Sequence, residues 1–171
     1  CVARRFRDNG LYKLGVQAVN PNCDVYTAYT GSTEDVQKSK EAAQAMIDKG
    51  VDLIGGGGNA SNAGMIKACE EAGVYAFGEL EQQNLAPETV IFCNMNNIEN
   101  LVLQAVKDTI DGDFQGCIRE YGIAADVAQL TEYNSHVPQE VKDKLAECMD
   151  QMRSGELDIP MITEISDDII H

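Results

Sequence analysis

Val51-Asp52-Leu53-Ile54-Gly55-Gly56-Gly57-Gly58-Asn59-Ala60-Ser61-Asn62 decides the fold. Val51 to Gly55 reads as a short apolar strand, and the stretch from Asn62 reads as a helix. Between them the chain passes through a run with almost no side chains. A strand handed to a helix through a glycine-rich turn is the unit from which open α/β sheets are built, and ligands sit beyond the carboxyl ends of such strands. Glycine lets backbone approach a ligand closely, and a helix start supplies N–H donors. This turn is where small-molecule contact is expected.

Working outward, helices and strands alternate. Residues 2–19 read as a helix stopped by Asn20-Pro21, and Cys23 to Tyr29 alternates like a strand. Ser32 and Asp35 have capping-box spacing before a helix that carries Val36, Ala43, Met46 and Ile47 and is closed by Gly50. The helix of residues 62–72 turns Met65, Ile66 and Cys69 inward and ends at Gly73. Val74–Gly78 and Val90–Met95 are the next strands. Ile98, Leu101, Val102, Ala105, Val106 and Ile110 form one helical stripe. Cys117–Gly122 is a further strand candidate, and a last helix starts near Pro138 and ends before Gly155. The pattern predicts an α/β protein with a doubly wound parallel sheet.

Composition narrows the function. The 171 residues suit one domain or slightly more, and 44% apolar content supports a core. A net charge of −15 excludes nucleic acid and disfavours anionic membrane surfaces, because phosphates are repelled. No stretch approaches the roughly 20 apolar residues of a membrane span, and none has the form of a signal peptide. The six cysteines (1, 23, 69, 93, 117 and 148) include no Cys-x-x-Cys pair, so no metal site is expected, and they read as free buried thiols. Cys1 is followed by Val-Ala-Arg-Arg-Phe, which reads as a helix start rather than a lipid-bearing tether. His136 and His171 are the only histidines, and no Ser/His/Asp order, metal-ligand cluster or Walker loop accompanies them. Asp111-Gly112-Asp113 lacks the remaining ligands of a calcium loop and reads as a helix-ending turn.

Several blocks together resemble the later part of a basic membrane protein (BMP) family lipoprotein, the purine nucleoside receptor type of ABC transporter substrate-binding protein. They are Arg5-Phe6, Gly15 to Asn22, Tyr29-Thr30-Gly31-Ser32, Lys40 to Ala43, Ile47 to Ile54, Ala68 to Gly78, and Ser154-Gly155-Glu156 before Ile159-Pro160. The resemblance implies a periplasmic-binding-protein-like (type I) fold of two α/β lobes with ligand held between them. It further implies a transporter permease as partner of the full-length protein, and an extracytoplasmic, cell-surface or periplasmic place for it. On this basis residues 1–95 are second-lobe material, 96–135 return to the first lobe, and 136–171 hold a hinge-proximal helix and tail. The first lobe and the opening strand of the second then lie outside this chain. It reads as a piece of a longer receptor, or as one completed by association, including self-association through an open sheet edge.

The expected ligand is a nucleoside or sugar-like solute, bound without catalysis and without a cofactor. Asn59, Ser61, Asn62, Glu79, Asn94 and Asn96 fall at or just past strand ends and supply donors and acceptors together. Asn62 and Asn97 also suit a plain capping role. The chain departs from the family's binding pattern in three places. Asn59-Ala60-Ser61-Asn62 stands for a Gly-Gly-Thr-Gly turn, Gly78-Glu79-Leu80 for Gly-Val-Asp, and Asn96 for a lysine. Two readings compete with the receptor. Gly55-x-Gly57-x-x-Ala60, with Glu79 about 20 residues on, is a weak template for an NAD-type dinucleotide-binding oxidoreductase using the Gly55–Gly58 turn. The other is a degenerate lobe kept for protein–protein contact.

Overall fold

The computed structural model of the chain describes residues 12–119, 121–157 and 159. Residues 12–19 are helical (α1), so the expected first helix is seen in its later part, while its residues 2–11 and Cys1 lie outside the described residues. The order continues α2 (Val36–Ile47), β1 (Leu53–Gly55), α3 (Ser61–Ala72), β2 (Tyr75–Glu79), β3 (Val90–Asn96), α4 (Ile98–Ile110), β4 (Ala128–Leu130) and α5 (Gln139–Ser154). Short 3-10 turns occupy Gln82–Leu85 and Ile123–Ala125.

One sheet runs in the order β1-β2-β3-β4. The first three strands are parallel, as the βα alternation predicts. β4, which sequence did not predict, joins antiparallel to the end of β3, pairing Asn94 with Leu130 and Asn96 with Ala128. The core lies between this sheet and α2 with α3: Ala43, Ile54, Met65, Ile66, Ala68, Cys69, Ala76, Val90 and Cys93 are buried together. The inward face expected for α3 is therefore found. On the opposite face an aromatic row runs from Tyr12 to Phe77 (5.4 Å), Phe92 (5.6 Å, stacked) and Tyr133 (6.0 Å, edge-on). That row seats α1 across the sheet from α2 and α3.

Local signals fix the helix ends. Asp35 itself caps α2, accepting from Lys38 N at 3.0 Å, while Ser32 Oγ accepts from Glu34 N and Asp35 N. The capping box thus becomes a cap with a supporting turn in front of it. Gly73 and Gly155 end α3 and α5 in the left-handed conformation. Asn97 caps α4, accepting from Asn100 N at 3.0 Å. Pro138 is the cap of α5 rather than its first helical residue.

Three expectations are corrected. Cys23–Tyr29 has no regular secondary structure and pairs with no described strand. In Cys117–Gly122 the described residues 117–119 and 121–122 form no strand either; Arg119 there is drawn to Asp108 on α4 and to the Asp113 carbonyl. Cys69 and Cys93 are buried free thiols, whereas Cys23 and Cys117 are exposed and Cys148 half-buried. Burial pushes the Cys69 thiol up to about 11.

Candidate functional site

The carboxyl ends of β1, β2 and β3 bring the glycine turn, Glu79 and Asn94 to one edge of the sheet, but the turn itself is filled from within. Asn62, 2% exposed at the start of α3, donates through Nδ2 to Gln82 Oε1 (3.1 Å) and to the Gly56 carbonyl (3.4 Å). Gln82 Oε1 also accepts from Glu79 N at 3.0 Å. One glutamine amide therefore ties the β1 turn, the start of α3 and the end of β2. A Cβ on Gly56 would come within 2.6 Å of Asn62 Oδ1, and one on Gly58 within 2.4 Å of Ser61 Oγ. Those two glycines are required because side chains of α3 occupy the space above them.

Ser61 and Asn62 are thus buried supports of the turn, and Asn62 is not the helix cap; Ala60 holds that position with no side-chain bond. Asn59 is exposed and points outward, donating to Glu34 Oε1 at 2.8 Å. The donors expected at the helix start are also engaged. Ser61 N donates to Thr33 O (3.1 Å), Asn62 N to Asn59 O (3.4 Å) and Ala63 N to Ala60 O (3.1 Å). A phosphate arriving at α3 would have to displace these bonds, which weighs against the dinucleotide template.

The other candidates gather on the aromatic face. Glu79 stands opposite Asn94 in register, just beyond the stacked Phe77 and Phe92. A Cβ on Gly57 would lie 3.9 Å from Glu79 Oε1, so the carboxylate sits beside the one turn glycine that neighbouring side chains leave open. Asn96 lies two residues beyond Asn94 on the same face, is exposed, and is carried by the β3–β4 pair. Leu80 follows Glu79 with φ +56° and an exposed side chain, and its N–H donates to Asn94 O at 2.9 Å. The six expected residues therefore divide: Glu79, Asn94 and Asn96 line one edge, Ser61 and Asn62 brace it from the other face, and Asn59 turns to Glu34 in the turn before α2. Gln82, the centre of the brace, carried no signal in sequence beyond lying three residues after a strand end.

A cavity of about 400 Å³ lies elsewhere, lined by Ala105, Asp108, Phe114, Cys117, Arg119 and Tyr121 among others. None of the expected site residues reaches it. The Asp108 carboxyl there is held below the usual carboxylate range by hydrogen bonds from Gln104 and Tyr121, with Arg119 beside it. Among the described residues no group of His, Cys, Asp and Glu could hold a metal ion, and no helix is long and apolar enough to cross a membrane.

Comparison with known proteins agrees with this architecture. A purine-binding protein of Brucella abortus is 27% identical over 147 residues, covering 85% of this chain and 41% of its own length. The solved solute-binding protein of an Aeropyrum pernix ABC transporter system superposes with a TM-score of 0.75 at 22% identity, over 95% of this chain and 55% of that one. A transcriptional activator of the comK gene from Bacillus halodurans gives 0.76 at 21%, over 84% of this chain and 50% of that one. The chain thus spans about half the length, or less, of the proteins it matches. The profile described as Bmp, ABC transporter substrate-binding protein PnrA-like, matches residues 2–163, and the chain belongs to that family.

Proposed function

We propose that this chain is the half of an extracytoplasmic solute receptor that grips a hydroxyl-rich small molecule, a nucleoside or a sugar, without transforming it. The observation that carries this reading is the pairing of Glu79 with Asn94 beside Gly57, at the carboxyl ends of parallel strands. A carboxylate accepts from two adjacent hydroxyls, an amide both donates and accepts, and an open glycine lets the solute touch backbone. The flanking Phe77–Phe92 stack offers an apolar platform next to these polar groups, the usual mixture in a small-molecule site. The purine-binding relative from Brucella abortus supports a nucleoside among such solutes. Family membership supports a transporter permease as the partner of the whole receptor and a place outside the cytoplasm. In that whole, a second lobe closes over the solute and hinge closure presents the closed form to the permease. Residues 94–96 with 128–130 are suited to the hinge, since there the chain first reverses direction against the parallel sheet.

Half a cleft binds weakly, so the test uses millimolar adenosine, inosine, glucose and NAD with amide-resolved NMR of the purified chain. Shifts at Gly57, Glu79 and Asn94 with adenosine, inosine or glucose, at an affinity of about 1 mM, and their loss in Glu79→Gln, are expected. Shifts confined to other surfaces, or a response to NAD alone centred on the start of α3, would overturn the reading.

A further inference from the structure

Two consecutive glutamines in the connection from β2 to β3 reach in different directions. The 3-10 turn Gln82–Leu85 has about three residues per turn, so adjacent side chains leave it about 120° apart. Gln82 turns to the candidate site, where its Oε1 accepts from Asn62 Nδ2 (3.1 Å) and from Glu79 N (3.0 Å). Gln83 turns to the chain that follows β4. Its Oε1 accepts from Thr131 Oγ1 (3.1 Å), and its Nε2 donates to Glu132 O (3.1 Å) and Val90 O (3.4 Å). Thr131 and Glu132 lie 48 and 49 residues further along the sequence, so these bonds are a tertiary tie rather than part of the turn.

Thr131 is where the returning segment is fastened to β3. Its backbone N–H donates to Cys93 O (2.9 Å), and its hydroxyl accepts from Cys93 N (2.8 Å). One threonine therefore occupies both backbone groups of a buried strand residue, and still donates its hydroxyl proton to Gln83. Further along, Asn134 N donates to Ile91 O (2.9 Å) and Asn134 Nδ2 to Pro87 O (3.3 Å), before the buried Val137 and the start of α5. The antiparallel pair 94–96 with 128–130 begins one residue beyond Cys93 and Thr131. The fastening thus stands at the base of that pair.

We propose that Gln82 and Gln83 are paired positioning residues that couple solute at Glu79 to the base of the hinge at Thr131. The inference rests on the reading of Gly57, Glu79 and Asn94 as the solute edge and of 94–96 with 128–130 as the hinge. Solute held by the Glu79 carboxylate restrains the Glu79 backbone, whose N–H is bonded to Gln82. The turn is tied at both ends: Asn84 N donates to Glu81 O (3.1 Å), and Ala86 O accepts from Thr89 N (3.0 Å) and Val90 N (2.9 Å). Ordering of Gln82 therefore reaches Gln83, and Gln83 passes it to Thr131 and Glu132. Groups joined in one hydrogen-bond network couple in this way, and non-additivity of paired substitutions measures the coupling.

The test is amide exchange by NMR on the full chain, first without solute, in a cycle of Gln82→Met and Gln83→Met. Methionine keeps an unbranched side chain and removes the amide. Gln82→Met should speed exchange at Glu79 and also, by about threefold or more, at Cys93 and Thr131. In the Gln83→Met background the same change should still speed Glu79 and add nothing at Cys93 and Thr131. Millimolar adenosine or glucose is then added. The unaltered chain should respond at Gly57, Glu79, Asn94 and Thr131, and Gln83→Met at the first three only. Thr131→Val keeps the side chain's shape without its hydroxyl and should lose the response at position 131, whereas Thr131→Ser should keep it; if Gln83→Met does not fold, Thr131→Val takes its place in the cycle. Additive effects in the cycle would overturn the proposal, as would a response at position 131 that survives Gln83→Met or never accompanies the other three. Silence of Gly57, Glu79 and Asn94 toward every solute would instead overturn the receptor reading, and the solute-free cycle decides the coupling by itself.

Discussion

Residues 36–96 and residues 97–157 have similar amphipathic patterns but opposite fates. In the first region the apolar positions of α2, α3 and the strands close on one another, and Ile66, Val90, Cys69 and Cys93 are almost wholly shielded. In the second, the stripe Ile98, Val102, Val106 and Ile110 on α4 stands exposed, α5 buries no residue, and Val127 and Val137 are the buried apolar side chains found there. Periodicity therefore specified a helix in both places, while burial required a facing surface that exists in one. An uncovered stripe of this kind is surface made for a neighbour.

The contrast is broken most strongly by paired truncations. Ile66→Ala should cost about 4 kcal/mol, because the site sits between α3 and the sheet and cannot collapse. Val106→Ala, from a side chain 47% exposed, should change stability by no more than about 0.5 kcal/mol. Urea unfolding of both variants measures the pair; equal losses would mean α4 is packed in solution. Next in size is Gly64→Ala. The new methyl would meet the Val36 carbonyl where α2 and α3 touch, so a loss of about 2–3 kcal/mol is expected despite the better helix propensity of alanine. Gly122→Ala, with nothing within 4 Å of the added carbon, should fall within about 0.5 kcal/mol.

A smaller effect separates brace from edge within the candidate site. Asn62→Ala leaves the Gly56 carbonyl and Gln82 without their buried donor, and should cost about 1–3 kcal/mol in thermal unfolding. Asn96→Ala, exposed at the end of β3, should be near neutral to stability, so a change in solute response there reports contact rather than folding. In the second region acid provides the probe. The Asp108 carboxyl is depressed in the folded chain by Gln104, Tyr121 and Arg119, so its stabilisation is present above the ordinary carboxylate pKa, about 3.9, and is lost as pH falls through the lower folded value. Asp108→Asn should flatten that acid limb in a pH series of unfolding midpoints; an unchanged limb would show that the Asp108 cluster does not form.

How far sequence reached follows the same division. β2, β3 and α3 were legible because their apolar spacing and their glycine and cap signals agreed, and each had its partner within the chain. Cys23–Tyr29 and Cys117–Gly122 had strand composition but, among the described residues, no strand beside them to pair with, and pairing is not a local property. β4 is only three residues long, too short for alternation to register. At the candidate site, Glu79 and Asn94 stand near the carboxyl ends of β2 and β3 as their sequence position predicts, yet strand-end position could not tell a residue facing the edge from one buried beneath it. Asn62 is the example: a polar residue after a glycine run reads as a ligand contact or a cap, and only three-dimensional packing shows it reaching back to Gly56 and across to Gln82.

Leu80 carries a small expected effect of the opposite sign and links fold to site. A leucine at φ +56° pays a steric cost between its Cβ and the backbone that asparagine bears more easily, and its side chain is 55% exposed, so little packing is lost on replacement. Leu80→Asn should therefore stabilise the chain by about 0.5–1 kcal/mol, read as a rise in thermal midpoint. The same change sets an amide directly after Glu79, where the resemblance to nucleoside receptors expects an aspartate. If Glu79, Asn94 and Gly57 form the solute edge, the variant should also strengthen the adenosine response at those three amides. A gain in stability with no change in that response would leave the turn explained by backbone strain alone and move the solute away from this edge.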